Sequence, residues 1–319
     1  MTRMILPFLY KSWALSCDDW VDGDRLQNPP PHDVTAAELD FLKTIRGKPS
    51  QKIVRHHIKI FTENKGNLPD LPPCRKSNKN VTWVNVNPKG LWAPGNIWTS
   101  LVCKTEDVIT SRWTLNCLRD TNVWIFGDSN ARLAYFTLNY LTQCIKSEGG
   151  WPLKGRCYVP EYNITINLIP HEPPRYSLFR RSDNFTGVPD FIQTLPANEK
   201  HVLIIHYYLH FTPAHLSVLS LRMRKLRTAL EKLLAKNPNI LVGLRGPHVV
   251  SLYYSNHAVG GDPLGPQFLE LIRKRFRGLE DKVVFLDMWE MSIGIENLDY
   301  HPPQFLSREM IKFFLSFQC

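Results

Sequence analysis

NVWIFGDSNARLAYF, residues 122–136, decides how the rest of the chain is read. Its first part, Val123-Trp124-Ile125-Phe126, is a short apolar run of the kind that forms a buried strand. The run stops at Gly127-Asp128-Ser129, and a helical pattern begins at Asn130. In open α/β sheets, functional groups gather where strands end in such turns. A serine at a strand end can also serve simply as the N-cap of the helix that follows. To act as a nucleophile it needs a base to take its proton and a third group to orient that base.

From Asn122 onward the pattern stays regular. Asn130 to Ile145 reads as a helix, YNITINLIP (162–170) as an alternating strand and HVLIIHYYL (201–209) as a buried parallel strand. Ala214 to Lys236 carries Leu219, Met223, Leu226, Leu230 and Leu233 at helical spacing. ILVGLRG (240–246) and KVVFLDMW (282–289) read as further strands, Pro266 to Gly278 and Pro303 to Phe317 as helices. Strands alternating with helices imply a mainly parallel sheet covered on both faces and joined by right-handed crossovers. Ser129 and Arg245 both fall at strand ends. The first hundred residues differ: NPPPHD, NLPDLPPC and VNPKGLWAPGN read as extended segments and turns.

Candidate partners for Ser129 lie near the end of the chain, in ENLDYHPPQFLSREM. Asp299 and His301 precede the closing helix, and Pro302-Pro303 stiffens the backbone after the histidine. Asp287, at the end of the preceding strand, is an alternative acid. Asp128 suits a role holding the turn through backbone amides. Arg132, one helical turn beyond Ser129, offers positive charge or a seat for a sugar carboxylate. His206 and His210 are four apart, but a strand pattern puts them on one edge rather than on a helical metal face, and no metal site is read.

The net charge of +10 admits nucleic acid, an anionic membrane or an acidic substrate. The basic residues are scattered, with Arg222, Arg224, Lys225 and Arg227 on one helix and Arg273, Lys274, Arg275 and Arg277 on another. No basic stripe interleaves with aromatics, which argues against nucleic acid. No run approaches the roughly 18 apolar residues of a membrane span. The segment Met1 to Leu15, interrupted by Pro7 and Lys11, makes a poor signal peptide. Seven cysteines show neither a C-x-x-C pair nor metal spacing, and an odd count leaves at least one unpaired within the chain. Sequons at Asn80, Asn163 and Asn184 lean toward a secretory route.

The blocks IFGDSNAR and DMWEMSIGIENLDYHPP, in that order, resemble the PC-esterase domain of the GDSL/SGNH hydrolase superfamily. The likeness is to the C-terminal domain of the neurexophilin and PC-esterase (NXPE) family, over roughly Pro72 to Cys319. LWAPGNIWTSLVC, Cys117, Ser129-x-x-Arg132, HFTP (210–213), the long basic helix and the terminal Cys319 also carry it. The resemblance implies a three-layer α/β/α sandwich over 71–319, after an irregular N-terminal region, 1–70. It further implies a Ser129–His301–Asp299 site, acyl chemistry on glycan hydroxyls such as those of sialic acid, and residence in the secretory pathway. Two departures stand out. Many relatives space acid and base as Asp-x-x-His, but Leu298 occupies that position here, and the usual glycine and asparagine oxyanion blocks are not evident. The expected activity is O-acetylation of a glycan with acetyl-CoA as donor, with an acetylesterase or an inactive binding protein of the same fold as alternatives. The backbone N–H of Ser129 would serve the oxyanion, such a donor contributing ~3 kcal/mol.

Overall fold

In the computed structural model the described residues are 70–84, 88–106, 109–144, 147–148, 155–171, 187–212, 214–250, 264–295, 297 and 299–319. The expected irregular region 1–70, save its last residue, lies outside them, as do Cys17, Asn184 and Leu298.

The strands are β1 (Gly90–Ala93), β2 (Ile97–Ser100), β3 (Thr121–Gly127), β4 (Ser147–Glu148), β5 (Gly155–Val159), β6 (Ile164–Pro170), β7 (Lys200–His206), β8 (Leu241–Arg245) and β9 (Val283–Leu286). The α-helices are α1 (Ser111–Cys117), α2 (Ser129–Leu141), α3 (Val188–Gln193), α4 (Leu216–Lys236), α5 (Gly265–Phe276), α6 (Met288–Ile293) and α7 (Gln304–Leu315). β1 and β2 form a hairpin, and the other strands form one sheet in the order β4-β5-β6-β3-β7-β8-β9. From β6 to β9 every pairing is parallel, while β4 and β5 add an antiparallel edge. The sequence reading did not anticipate that edge, the hairpin or the short helices α1, α3 and α6.

Side-chain alternation along the strands separates two cores. Val123, Ile125, Ile166 and Ile204 pack with α2 and α7 residues such as Ala134, Leu138, Leu306 and Met310. Phe126, Leu203, Ile205 and Val242 pack on the other face with Ile192 of α3, Leu226 of α4 and Phe268 of α5. The result is the expected three-layer α/β/α sandwich with a mainly parallel sheet. Its parallel strands, numbered by chain order, run 2-1-3-4-5. The order therefore reverses at β3, and the carboxyl end of a strand at such a reversal is where open α/β sheets place their ligands.

Three disulfides fasten the sandwich: Cys74–Cys103, Cys117–Cys319 and Cys144–Cys157. The second joins the end of α1 to Cys319, four residues beyond the end of α7. The third ties the end of α2 to β5. Trp83, Trp92 and Trp98 all pack against the sandwich. The Trp83 indole N–H donates to the Val283 carbonyl at 2.6 Å, that of Trp92 to Met291 at 2.8 Å, and Trp98 is buried.

Candidate active site

The turn after β3 is built around Gly127. Its φ of +152° lies where side chains are rarely tolerated, and a Cβ there would sit 2.7 Å from the Ala131 Cβ and 2.8 Å from the His206 carbonyl oxygen. β7 thus lies directly against this backbone. Asp128 is the N-cap of α2, its carboxylate accepting from the Asn130 amide at 2.8 Å. The helix begins at Ser129, one residue earlier than expected, and ends at Leu141 rather than Ile145. Because the aspartate caps the helix, the serine hydroxyl is released from that role.

Ser129 is half-buried, and its Oγ lies 2.7 Å from Nε2 of His301. With Nε2 unprotonated, the hydroxyl donates to the imidazole. The histidine arrives from 172 positions further along the chain, on the loop before α7. Buried Asn297 fixes this loop, its side-chain amide donating to the Val249 carbonyl at 2.7 Å and the Asp299 carbonyl at 2.9 Å. The ring of buried His248 reaches the Tyr300 carbonyl from below at 3.1 Å. Partial burial pushes the His301 imidazole below its ordinary value. The nearby Asp128 and Asp299 charges oppose this, and Arg132 and Arg245 reinforce it. At neutral pH His301 is an uncharged ring facing a hydroxyl, the state a general base needs.

The remaining candidates fall into place as follows. Asp299 is exposed on the His301 loop, two residues from the imidazole on which its charge acts. Asp287 caps α6 through the Trp289 amide at 3.3 Å, and its other oxygen meets Lys89 Nζ at 2.8 Å and Arg273 at 3.2 Å. Arg132 lies in the first turn of α2, its guanidinium 5.9 Å from the Phe136 ring centroid. His206 and His210 do not share a strand edge. β7 ends at His206, and His210 belongs to the 3-10 turn Leu209–Phe211, its Nδ1 2.9 Å from Nε2 of His171. Among the described residues no cluster of three potential metal ligands occurs.

Sequence reasoning missed the layer behind Ser129. His206 and Arg245 are fully buried register partners at the ends of β7 and β8. The His206 Nδ1–H donates to the Arg245 carbonyl at 3.1 Å, which leaves Nε2 facing Asp128 Oδ1 at 3.7 Å. Burial lowers His206 to about 4, with Asp128 opposing and Arg245 assisting. Burial also works against the Asp128 carboxylate. His206, His210, His171 and the Asn130 amide outweigh it and hold Asp128 well below the usual carboxylate range. A histidine and an arginine closing two adjacent apolar strands were the available signal.

A profile for the C-terminal domain of NXPE family member 4-like proteins matches residues 98–319. The chain belongs to this family. The NXPE match begins within β2 and takes in Ser129, His301 and all of the main sheet. Among solved structures, a putative GDSL-like lipase from Parabacteroides merdae ATCC 43184 aligns at a TM-score of 0.36 with 16% identity, over 61% of this chain and 96% of that one. That likeness is too loose to argue from.

Proposed function

We propose that this NXPE-family chain is a serine-dependent O-acetyltransferase acting on glycan hydroxyls, sialic acid among them. The observation that carries the reading is the 2.7 Å contact between Ser129 Oγ and His301 Nε2 at the point where the strand order reverses. In the proposed cycle Ser129 Oγ attacks the acetyl carbonyl carbon of the donor, and His301 accepts its proton. Negative charge gathers on the carbonyl oxygen beside the Ser129 amide at the start of α2, where the helix dipole favours it. Collapse expels the donor thiol, which takes the proton from His301, and leaves acetyl-Ser129. A sugar hydroxyl then enters, gives its proton to His301 and attacks the ester carbonyl; the bond to Oγ breaks and His301 returns the proton to Oγ, restoring free Ser129. Asp299 is the proposed orienting acid and Arg132 the proposed partner of a substrate carboxylate. Asp287 is less suited, because its oxygens already engage Lys89, Arg273 and the Trp289 amide.

Acetyl-CoA is the proposed donor. Three disulfides and exposed sequon residues Asn80 and Asn163 support a lumenal or secreted location. No described helix is long and apolar enough to cross a membrane. The test is incubation of the protein with labelled acetyl-CoA and a sialoside. Labelled glycan is expected from wild type and none from a folded Ser129→Ala variant. Release of acetate from acetylated glycan, with no transfer from the donor, marks an esterase instead. Neither reaction, with no labelling of Ser129 by a fluorophosphonate, marks a binding protein.

A further inference from the structure

Arg245 is among the largest fully buried side chains of the described residues, and none of its three guanidinium nitrogens has a hydrogen-bond partner. A guanidinium withdrawn from water in this state is costly unless its charge is used. Its position gives the placement meaning. Arg245 is the register partner of His206 on one side and Leu286 on the other. Leu286 and Ile204 belong to the core under α2 and α7, and alternation puts His206 and Arg245 on that same face. Ser129 opens α2 and His301 precedes α7, so the arginine lies beneath the catalytic pair.

Around it are further unmatched buried atoms: Oδ2 of Asp128, Nε2 of His206, Nδ1 of His248 and the side-chain amide of Asn130. The charged and titratable groups facing this layer come from every neighbouring element. They are Asp128 from the β3–α2 turn, His206 from β7, His248 beyond β8, His171 beyond β6, His210 from the 3-10 turn, and His301 with Asp299 from the last loop. Arg132 of α2 adds a second cation near His301.

We propose that Arg245 is a positioning residue: a buried cation that shares this layer with the anionic Asp128 cap of α2 and keeps the surrounding imidazoles uncharged, so that Ser129 is presented to a neutral His301. The charge balance agrees. Arg245 stays cationic although burial draws it down to about 10, against the pull of Asp128 in the other direction. His248 is held well below its ordinary value by burial and then by Arg245. In the fully buried part of the layer, Arg245 and Asp128 then sit as one cation and one anion among neutral rings. Without Arg245, Asp128 would face these rings alone, and each would bind a proton more readily.

The inference rests on the proposed acyl chemistry for its kinetic readout, so a second readout is independent of turnover. Arg245→Met and Arg245→Lys are prepared in the full chain, and kcat and KM are measured against pH. The imidazole nitrogens of His206, His248 and His301 are titrated by NMR in parallel. For Arg245→Met the expected result is a kcat lowered about tenfold with KM nearly unchanged. The acid limb should move to higher pH by about half a unit, about threefold in proton affinity, and the His206 and His248 titrations should move the same way. Arg245→Lys should restore the wild-type limb even if it melts earlier. Unmoved histidine titrations in Arg245→Met overturn the proposal whatever happens to kcat. If that variant does not fold, a limb or titration displaced by half a unit in the charge-retaining Arg245→Lys overturns it. Wild-type protein without turnover would sink the functional reading and leave the NMR comparison to decide the role of Arg245.

Discussion

Replacing Gly127 with alanine probes the turn on which the site depends. The backbone there has φ of +152°, and a non-glycine residue held in so sparsely populated a region costs about 1–3 kcal/mol. The new methyl would also lie 2.8 Å from the His206 carbonyl oxygen and 2.7 Å from the Ala131 Cβ. His206 has little freedom to retreat, because β7 is paired to β3 and β8 and its ring is bonded to the Arg245 carbonyl. Overpacking of this kind adds about 1–3 kcal/mol, so the total comes to about 2–6 kcal/mol. For a domain of this size, that corresponds to a melting temperature lower by about 4–24 °C. Relief comes most easily by shifting the Asp128–Ser129 backbone, and a displacement near 1 Å lowers turnover about a hundredfold. Thermal denaturation followed by circular dichroism, together with acetyl transfer measured well below the new melting point, reads both effects. A variant melting within about 2 °C of wild type with unchanged turnover would refute the assigned strain.

Other perturbations separate the roles of neighbouring groups. Asp287→Asn should destabilise the fold by about 3 kcal/mol in urea unfolding, since it strips buried Lys89 of its partner. Asp299→Asn should leave the urea midpoint in place and lower kcat, and the reverse pattern would make Asp287 the acid. Removing the Cys117–Cys319 bridge with paired serines opens a loop of sequence separation 202, worth about 5 kcal/mol in the chain-entropy account. An unaltered denaturation midpoint in the paired variant would contradict that figure. Acid should weaken the protein early. His206 holds its proton only below about 4 when folded, against 6.5 ordinarily, so the unfolded chain binds more protons between these values. Stability should therefore fall as pH drops through that window, by up to about 1.4 kcal/mol per unit for this residue alone. His248 and His301, also lowered, act in the same direction. Asp128 is depressed as a carboxylate, so its contribution is lost only at still lower pH. Calorimetry showing constant stability across the window would exclude neutral burial of His206.

Four of the five parallel strands were readable as short apolar runs between turn residues, because two-sided burial removes polar alternation, while β6 was readable from its alternation. Gly127-Asp128-Ser129 was readable for the same reason, as a small and polar interruption between two strong patterns. The antiparallel edge escaped notice. β5 alternates buried and exposed over only five residues, and its pairing with β6 depends on a chain reversal rather than on its own pattern. The layer behind Ser129 escaped for another reason. His206 and Arg245 read as polar residues ending strands, and only the register shows that they are neighbours buried under α2 and α7. The pairing of Ser129 with His301 was inferred from residue types and from the resemblance, since nothing local in either segment encodes a partner 172 positions away.

The 3-10 segment Lys76–Trp83 has a bearing on where this domain can be cut. Among the described residues β9 is an outermost strand, and one side of its backbone has no neighbouring strand. Three side chains of that segment stand in for one. Trp83 donates to the Val283 carbonyl, Thr82 Oγ1 accepts from the Phe285 amide at 2.9 Å, and Lys79 donates to the Lys282 carbonyl at 3.2 Å. Cys74–Cys103 anchors the segment to the rest of the molecule. A fragment trimmed to the family match, starting at Trp98, would keep every residue of the Gly127–Ser129 turn yet leave an apolar strand edge bare for pairing with other copies. Soluble, monodisperse protein therefore calls for a start point ahead of Cys74, and the shorter fragment should aggregate even though Ser129 and His301 are both present.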